Sequence, residues 1–240
     1  MKTIVLIPSR LSASRLPGKP LLKINGKSLI SHVFKKAQDA EIGEVYVATE
    51  NEEILEDVQK NGGQGILTSK KHKTGTDRIY EALKNLGERN IELIMNLQGD
   101  EPLMNLNDIK KLHKFMIKNK IQLGTLASEI NDEALFEKKN TVKVVTENNL
   151  NNSNFPKAVN FFRTLSQNYE NVYHHLGIYC YNIEILKKFV SLNQSRNEIK
   201  NNLKQLRALD NNIDINVALA ESAPIGVDTK EDFVAVKKIM

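Results

Sequence analysis

Three cations, Arg10, Arg15 and Lys19, follow directly on an apolar run in the segment Pro8-Ser9-Arg10-Leu11-Ser12-Ala13-Ser14-Arg15-Leu16-Pro17-Gly18-Lys19-Pro20-Leu21. Guanidinium groups grip phosphate oxygens in pairs and an ammonium adds a compact charge, so such a loop suits a phosphorylated ligand. Gly18 lets a ligand approach the backbone closely. The competing reading is an exposed basic loop that binds nothing. A second segment, Gln98-Gly99-Asp100-Glu101-Pro102, offers carboxylates at the end of another apolar run. Hard oxygen donors there suit magnesium, although Gly-Asp also makes ordinary turns. Asp228, in Gly226-Val227-Asp228-Thr229, either caps the helix that follows or gives the same cation a second carboxylate. In His72-Lys73-Thr74-Gly75-Thr76-Asp77-Arg78 the hydroxyls and free N–H groups at a helix start suit a base or a phosphate, and equally suit simple capping. His174-His175-Leu176-Gly177-Ile178-Tyr179 has no ligand spacing for zinc. It reads either as a contact to a polyhydroxylated ligand or as a structural strand edge.

These residues must be held by something, and the hydrophobic pattern says what. Apolar, β-branched runs at residues 3–7, 45–48, 65–67, 93–97 and 123–127 read as buried strands. Helical periodicity covers residues 28–40, with Ser28 as N-cap, and then 52–59, 76–86 and 106–116. This alternation predicts an α/β fold with a mostly parallel central sheet flanked by helices and right-handed crossovers. The cationic loop then lies at the carboxyl end of the first strand, where open α/β sheets bind ligands. The second half changes character. Strands are expected at 142–146, 158–162, 173–181 and 213–218, and helices at 183–190, 198–209 and 230–239. An Asn-rich stretch, 147–154, reads as an exposed turn. One domain over 1–240 is expected, with about 142–181 forming a smaller sub-lobe or dimerisation arm.

The chain has 240 residues and 40% hydrophobic content, enough for one sizeable core. Net charge is +5, a mild excess of 34 basic over 29 acidic residues that a Lys-rich surface accounts for. The cations cluster in one loop and no aromatic RNA-recognition signature is present, so no nucleic-acid partner is expected. A single cysteine, Cys180, excludes an internal disulfide and a cysteine-based zinc cluster; it sits in an apolar-aromatic run and reads as core. The opening apolar run is too short for a signal peptide and no run approaches the roughly 18 residues of a membrane span, so a cytoplasmic protein without membrane insertion is expected.

Taken in order along the chain, these segments resemble the 3-deoxy-manno-octulosonate cytidylyltransferase (CMP-Kdo synthetase) family. Val142-Lys143-Val144-Val145 and Gln205-Leu206-Arg207 add to the likeness. The resemblance implies a Rossmann-like nucleotidyltransferase fold, a homodimer and Mg2+ as cofactor. It implies that CTP and the sugar acid Kdo give CMP-Kdo and pyrophosphate for lipopolysaccharide synthesis. By match, Pro8, Ser9, Arg10, Thr74, Gly75, Arg78 and Gln98 lie near the nucleotide, and Arg15 and Lys19 hold its triphosphate. Asp100 and Asp228 ligate the metal and, with Lys19 and Arg15, form the catalytic set. Arg163, His175, Tyr179, Glu198 and Gln205 face the sugar acid. Departures fall on the sugar side: Phe162 stands where the family has serine, and Asn201 and Lys204 where it has glutamates. An amino-substituted Kdo or another ulosonic acid is therefore an alternative acceptor, and a non-catalytic nucleotide-binding paralogue is the reading from a different class.

Overall fold

The structure, a computed structural model, describes residues 1–12, 15–87, 90–132, 134–152, 155–164 and 169–240. Ala13 and Ser14 of the cationic loop, and Ser153 and Asn154 of the Asn-rich turn, lie outside the described residues. In chain order the elements are β1 (Lys2–Ser9), a 3-10 turn (Lys19–Leu21), β2 (Lys23–Ile24), β3 (Lys27–Ser28), α1 (Leu29–Asp39), β4 (Glu44–Thr49), α2 (Glu52–Lys60), β5 (Gly65–Leu67), α3 (Gly75–Asn85), β6 (Ile91–Asn96) and α4 (Leu106–Asn119). They continue with β7 (Leu123–Ser128), α5 (Ala134–Glu137), β8 (Lys143–Thr146), β9 (Ala158–Phe162), β10 (Val172–Asn182), α6 (Ile183–Ser191), α7 (Arg196–Asn201), α8 (Leu206–Asp210), β11 (Asn216–Leu219) and α9 (Lys230–Ile239). The chain divides into two compact units, Met1–Lys110 with Pro224–Met240, and Lys111–Ala223. The second unit is larger than the sub-lobe expected at 142–181 and contains it.

In the first unit four strands run parallel in the order β6-β1-β4-β5. Val5 of β1 faces Val45 on one side and Met95 on the other. Ile4 to Ile7 are at most 1% exposed, which is why the first strand reads as an unbroken apolar run: a central parallel strand is covered on both faces. Helices α1, α2 and α3 pack against these strands. Ser28 caps α1 as expected, its side chain accepting from the Ser31 N–H. The β2–β3 hairpin turns at Asn25-Gly26, both with positive φ (48° and 83°), as a two-residue hairpin turn of the primed types requires.

The second unit is mainly antiparallel: β10 pairs with β7 and with β8, β8 pairs with β9, and β11 lies parallel to β7. Two expectations change here. The helix predicted over 198–209 is two short helices, α7 and α8, because Asn202 turns left-handed (φ 51°) and ends the first. The strand predicted over 173–181 is not straight. Opposite β7, Leu176 faces Leu126 but the next pair is Tyr179 with Thr125, so Gly177 and Ile178 bulge out. Cys180 is fully buried, and burial pushes its thiol pKa up, which fits its core reading.

Candidate active site

The carboxyl ends of β1 and β6 open into a cavity of about 430 Å³ in the first unit. Its lining contains Pro8, Ser9, Arg10, Arg15, Lys19, Thr74, Gly75, Arg78, Gln98, Asp100 and Asp228, which are all the catalytic, nucleotide and metal residues expected there. Ser12, Pro20, His72 and Gly99 complete it.

The cationic loop is tied at several points. Leu11 N–H donates to Asn51 Oδ1 (3.0 Å), and Gly18 N–H donates to Leu11 O (3.2 Å). Gly18 takes a left-handed φ of 69°, and Pro20 sits at the second position of the 3-10 turn that follows. Leu16 packs on a small core of Ile24, Leu29, Val227 and Val236. Thus the loop that carries the cations and the segment that carries Asp228 share one apolar anchor.

Lys19 is the centre of the arrangement. Its Nζ lies 2.8 Å from Asp100 Oδ2 and 3.5 Å from Asp228 Oδ1, and donates to Val227 O at 2.6 Å. Arg15 adds a contact to the other oxygen of Asp228 (3.1 Å). Val227 N–H donates to Asp100 O, which joins the two carboxylate segments through the backbone. Aspartates far apart in sequence therefore meet at one cationic point. Asp228 is not the helix cap: Thr229 caps α9 with Asp232 as its capping-box partner, so the Asp228 carboxylate faces Arg15 and Lys19. Glu101 lies behind this pair. Burial, then the charges of Asp100 and Asp228, raise its pKa well above the usual carboxylate range, and its Oε2 is buried with no hydrogen-bond partner among the described residues.

The N-terminus of α3 forms another wall. Thr74 and Asp77 make a capping box, and Gly75 lies so close to Pro8 that a β-carbon would meet the proline ring at 3.0 Å. Capping and cavity lining coexist at Thr74. Ser9 Oγ is buried at this wall without a partner among the described residues. Arg78 reaches the cavity but spends its donors on Glu50, Thr68 Oγ1 (2.7 Å) and Ser69 O (3.3 Å). His72 pairs with Glu81. Arg10 stands exposed at the rim.

The five residues expected at the sugar acid all lie in the second unit. The rings of His175 and Tyr179 meet at a 48° tilt, 5.4 Å between centroids, and Phe161 and His175 pack edge to face at 5.1 Å. Burial, then the charges of His174 and Lys204, push the His175 pKa down to about 3. Lys204 Nζ lies 4.7 Å from the Tyr179 ring centroid. Gln205 follows it, buried at the start of α8. Arg163 donates to the carbonyls of Lys139 (3.0 Å) and Asn202 (3.3 Å), and so fastens the turn after α7. Glu198 is occupied differently: both its oxygens bind Arg207 (2.6 and 2.8 Å), with each side chain 3% exposed. Lys204, one of the departures on the sugar side, lies in this group, and Thr125 joins it without having been expected. Gly177 inside a strand pattern is the available signal for the bulge that gathers them.

A parallel α/β sheet whose strand ends present arginine, lysine and paired aspartates is the arrangement of a nucleotidyltransferase. The comparisons agree. The sequence model of a family described as cytidylyltransferase matches residues 4–215. The 3-deoxy-manno-octulosonate cytidylyltransferase of Thermodesulfovibrio yellowstonii is 42% identical over 252 residues, covering 100% of this chain and 98% of that protein. That of Afipia carboxidovorans is 40% identical over 244 residues, covering 99% and 96%. A solved structure of CMP:2-keto-3-deoxy-manno-octonic acid synthetase complexed with CTP superposes with a TM-score of 0.89 at 33% identity, covering 100% of this chain and 98% of that one. A cytidylyltransferase from Leptospira borgpetersenii shares the fold, with a TM-score of 0.66 at 18% identity. The chain belongs to the 3-deoxy-manno-octulosonate cytidylyltransferase family.

Proposed function

We propose that this protein transfers CMP from CTP to the anomeric hydroxyl of Kdo, giving CMP-Kdo and pyrophosphate for lipopolysaccharide synthesis. One observation carries the reading: Lys19 joins Asp100 and Asp228 at a single point of a cavity lined by a helix N-terminus and by Arg10, Arg15 and Arg78. The anomeric oxygen bonds to the α-phosphorus, the bond from that phosphorus to the bridging oxygen breaks, pyrophosphate leaves and the hydroxyl proton passes to solvent. Arg15 and Lys19 stabilise charge on the departing group, and the free N–H groups at the start of α3 favour a phosphate. Magnesium fits the donor set, because Asp100 and Asp228 are hard oxygen donors bracketing one cationic position. Among the described residues no three His, Cys, Asp or Glu side chains are placed to hold a metal by themselves, so phosphate oxygens of the substrate would complete its shell. When bound, the ion supplies charge neutralisation at the phosphates. We also infer a cytoplasmic homodimer; among the described residues no helix is long and apolar enough to cross a membrane.

A second reading, the same transfer to an amino-substituted Kdo or another ulosonic acid, is motivated by Phe162 and Asn201, which depart from the family on the sugar side. The test is pyrophosphate release with CTP, magnesium and a panel of sugar acids, with UTP and ATP as controls. Turnover that requires both CTP and Kdo, and that Asp100→Ala abolishes, is expected. Near-normal rates in Asp100→Ala would sink the metal assignment.

A further inference from the structure

We infer that Lys204 is a specificity-determining residue of the acceptor site: it reads an anionic group of the sugar acid and disfavours an ammonium substituent on the same side. The inference rests on the proposed function, in which His175 and Tyr179 face the acceptor.

The bulge in β10 sets the geometry of this group. On a flat strand, residues 175 and 179 would stand about 13 Å apart along the chain. With Gly177 and Ile178 looped out, their rings meet at a tilt, 5.4 Å between centroids. Thr125 fills the bulge. Its Oγ1 lies 2.6 Å from Ile178 O, 3.4 Å from Leu176 O and 3.0 Å from His175 Nε2. A hydroxyl has one hydrogen, and the short carbonyl contact claims it, since two lone-pair oxygens do not approach so closely otherwise. Toward His175 the hydroxyl can then only accept. The hydrogen of the imidazole is therefore on Nε2, and Nδ1 offers a lone pair to a hydroxyl donor. His175 carries no charge near neutral pH, because burial and its cationic neighbours hold its pKa near 3.

The charge of the group comes from elsewhere. Lys204 sits over the Tyr179 ring, within electrostatic reach of His175. Arg163 binds the carbonyl of Asn202, two residues before it. Glu198 is neutralised by its buried pair with Arg207. A positive group flanked by a neutral acceptor suits a polyhydroxylated acid. An ammonium substituent facing Lys204 meets a like charge instead. Lys204 thus decides between the two acceptor classes left open above.

The experiment is steady-state pyrophosphate release at saturating CTP and magnesium, with Kdo and with amino-substituted Kdo, for the natural protein and for Lys204→Met, Lys204→Arg and Lys204→Glu. Methionine keeps an apolar stem over Tyr179 without the charge. Lys204→Met is expected to raise KM for Kdo roughly 10- to 100-fold, the loss of one charge-assisted contact, with kcat and KM for CTP nearly unchanged. Lys204→Arg restores the low KM, which a purely structural role would not require. Lys204→Glu moves the preference toward the amino-substituted acceptor. An unaltered KM and preference in Lys204→Met, with its thermal melt unchanged, overturns the inference while leaving cytidylyl transfer intact. A natural protein that prefers the amino-substituted acceptor does the same. No turnover with any acceptor overturns the proposed function and the inference together.

Discussion

With its ammonium between Asp100 and Asp228, Lys19 offsets the repulsion of two carboxylates that the backbone already forces together through Val227 and Asp100. The contacts are partly open to solvent, with Lys19 12% and the aspartates 31% and 40% exposed, so their worth to stability is small, at most about 1 kcal/mol. In the proposed reaction their worth is larger, because a preorganised cation acts on charge that develops during transfer. Lys19→Met is therefore expected to lower kcat by about 10²–10³-fold while the urea midpoint stays nearly constant; single-turnover pyrophosphate release and a denaturation curve on the same sample separate the two effects. The Glu198–Arg207 pair is the opposite case. Both side chains are 3% exposed and paired with one another; Glu198 also accepts from Gln194 and from the Ser195 N–H, and Arg207 stacks on Phe189 at 4.7 Å. Glu198→Ala leaves a buried guanidinium without its counter-charge and should cost about 3–5 kcal/mol in urea unfolding. A loss below 1 kcal/mol would mean that Glu198 is not the structural member of its group.

At the scale of elements, the bulge in β10 brings His175 and Tyr179 together, and Thr125 on β7 ties the bulge down. Thr125→Val keeps the shape and removes the hydroxyl, so Ile178 O and the His175 Nε2–H lose their partner. The expected cost is about 1–3 kcal/mol in thermal or urea unfolding, with a raised KM for the acceptor and an unchanged KM for CTP. Sequence periodicity could not show this. Residues 173–181 alternate well enough to read as a plain strand, and Gly177 marks a place where the strand gives way without saying how far. The helix over 198–209 failed for a similar reason: its apolar spacing survives the break at Asn202, and the left-handed turn is visible only in the backbone. What was legible was the first unit. Its central strands β1 and β6 are mainly buried and α1 and α3 start at Ser28 and Thr74, so pattern and caps agree there. Thr74→Ala, which removes the α3 cap, should cost about 1 kcal/mol.

For the whole molecule, legibility divides by distance along the chain. The loop of Arg10, Arg15 and Lys19 could be placed at a strand end from local pattern alone, but its meeting with Val227, 208 positions away, rested on family likeness until the fold was in view. Buried histidines are a second property that no local pattern reveals, and they set the acid stability. The His175 pKa falls from its ordinary 6.5 to about 3 on folding, chiefly by burial, and burial lowers those of His174 and His113 as well. Between pH 6.5 and 3 the unfolded chain holds a proton on residue 175 that the folded chain refuses. Stability is then complete above pH 6.5 and declines as pH falls, by up to about 1.4 kcal/mol per pH unit for one such group. Glu81 and Glu198, whose pKa values are lowered in the fold, add losses of the same sign below their ordinary range. Glu101 works the other way, since its raised pKa favours the folded state as it takes up a proton. Urea midpoints measured from pH 7.5 to 4 should therefore fall, and His175→Gln, which cannot take the proton, should flatten the decline. A slope that His175→Gln leaves unaltered would mean that the imidazole reaches solvent or a counter-charge in the fold. The Nε2–H assignment through Thr125 would then lose its footing as well, because a charged ring donates from both nitrogens.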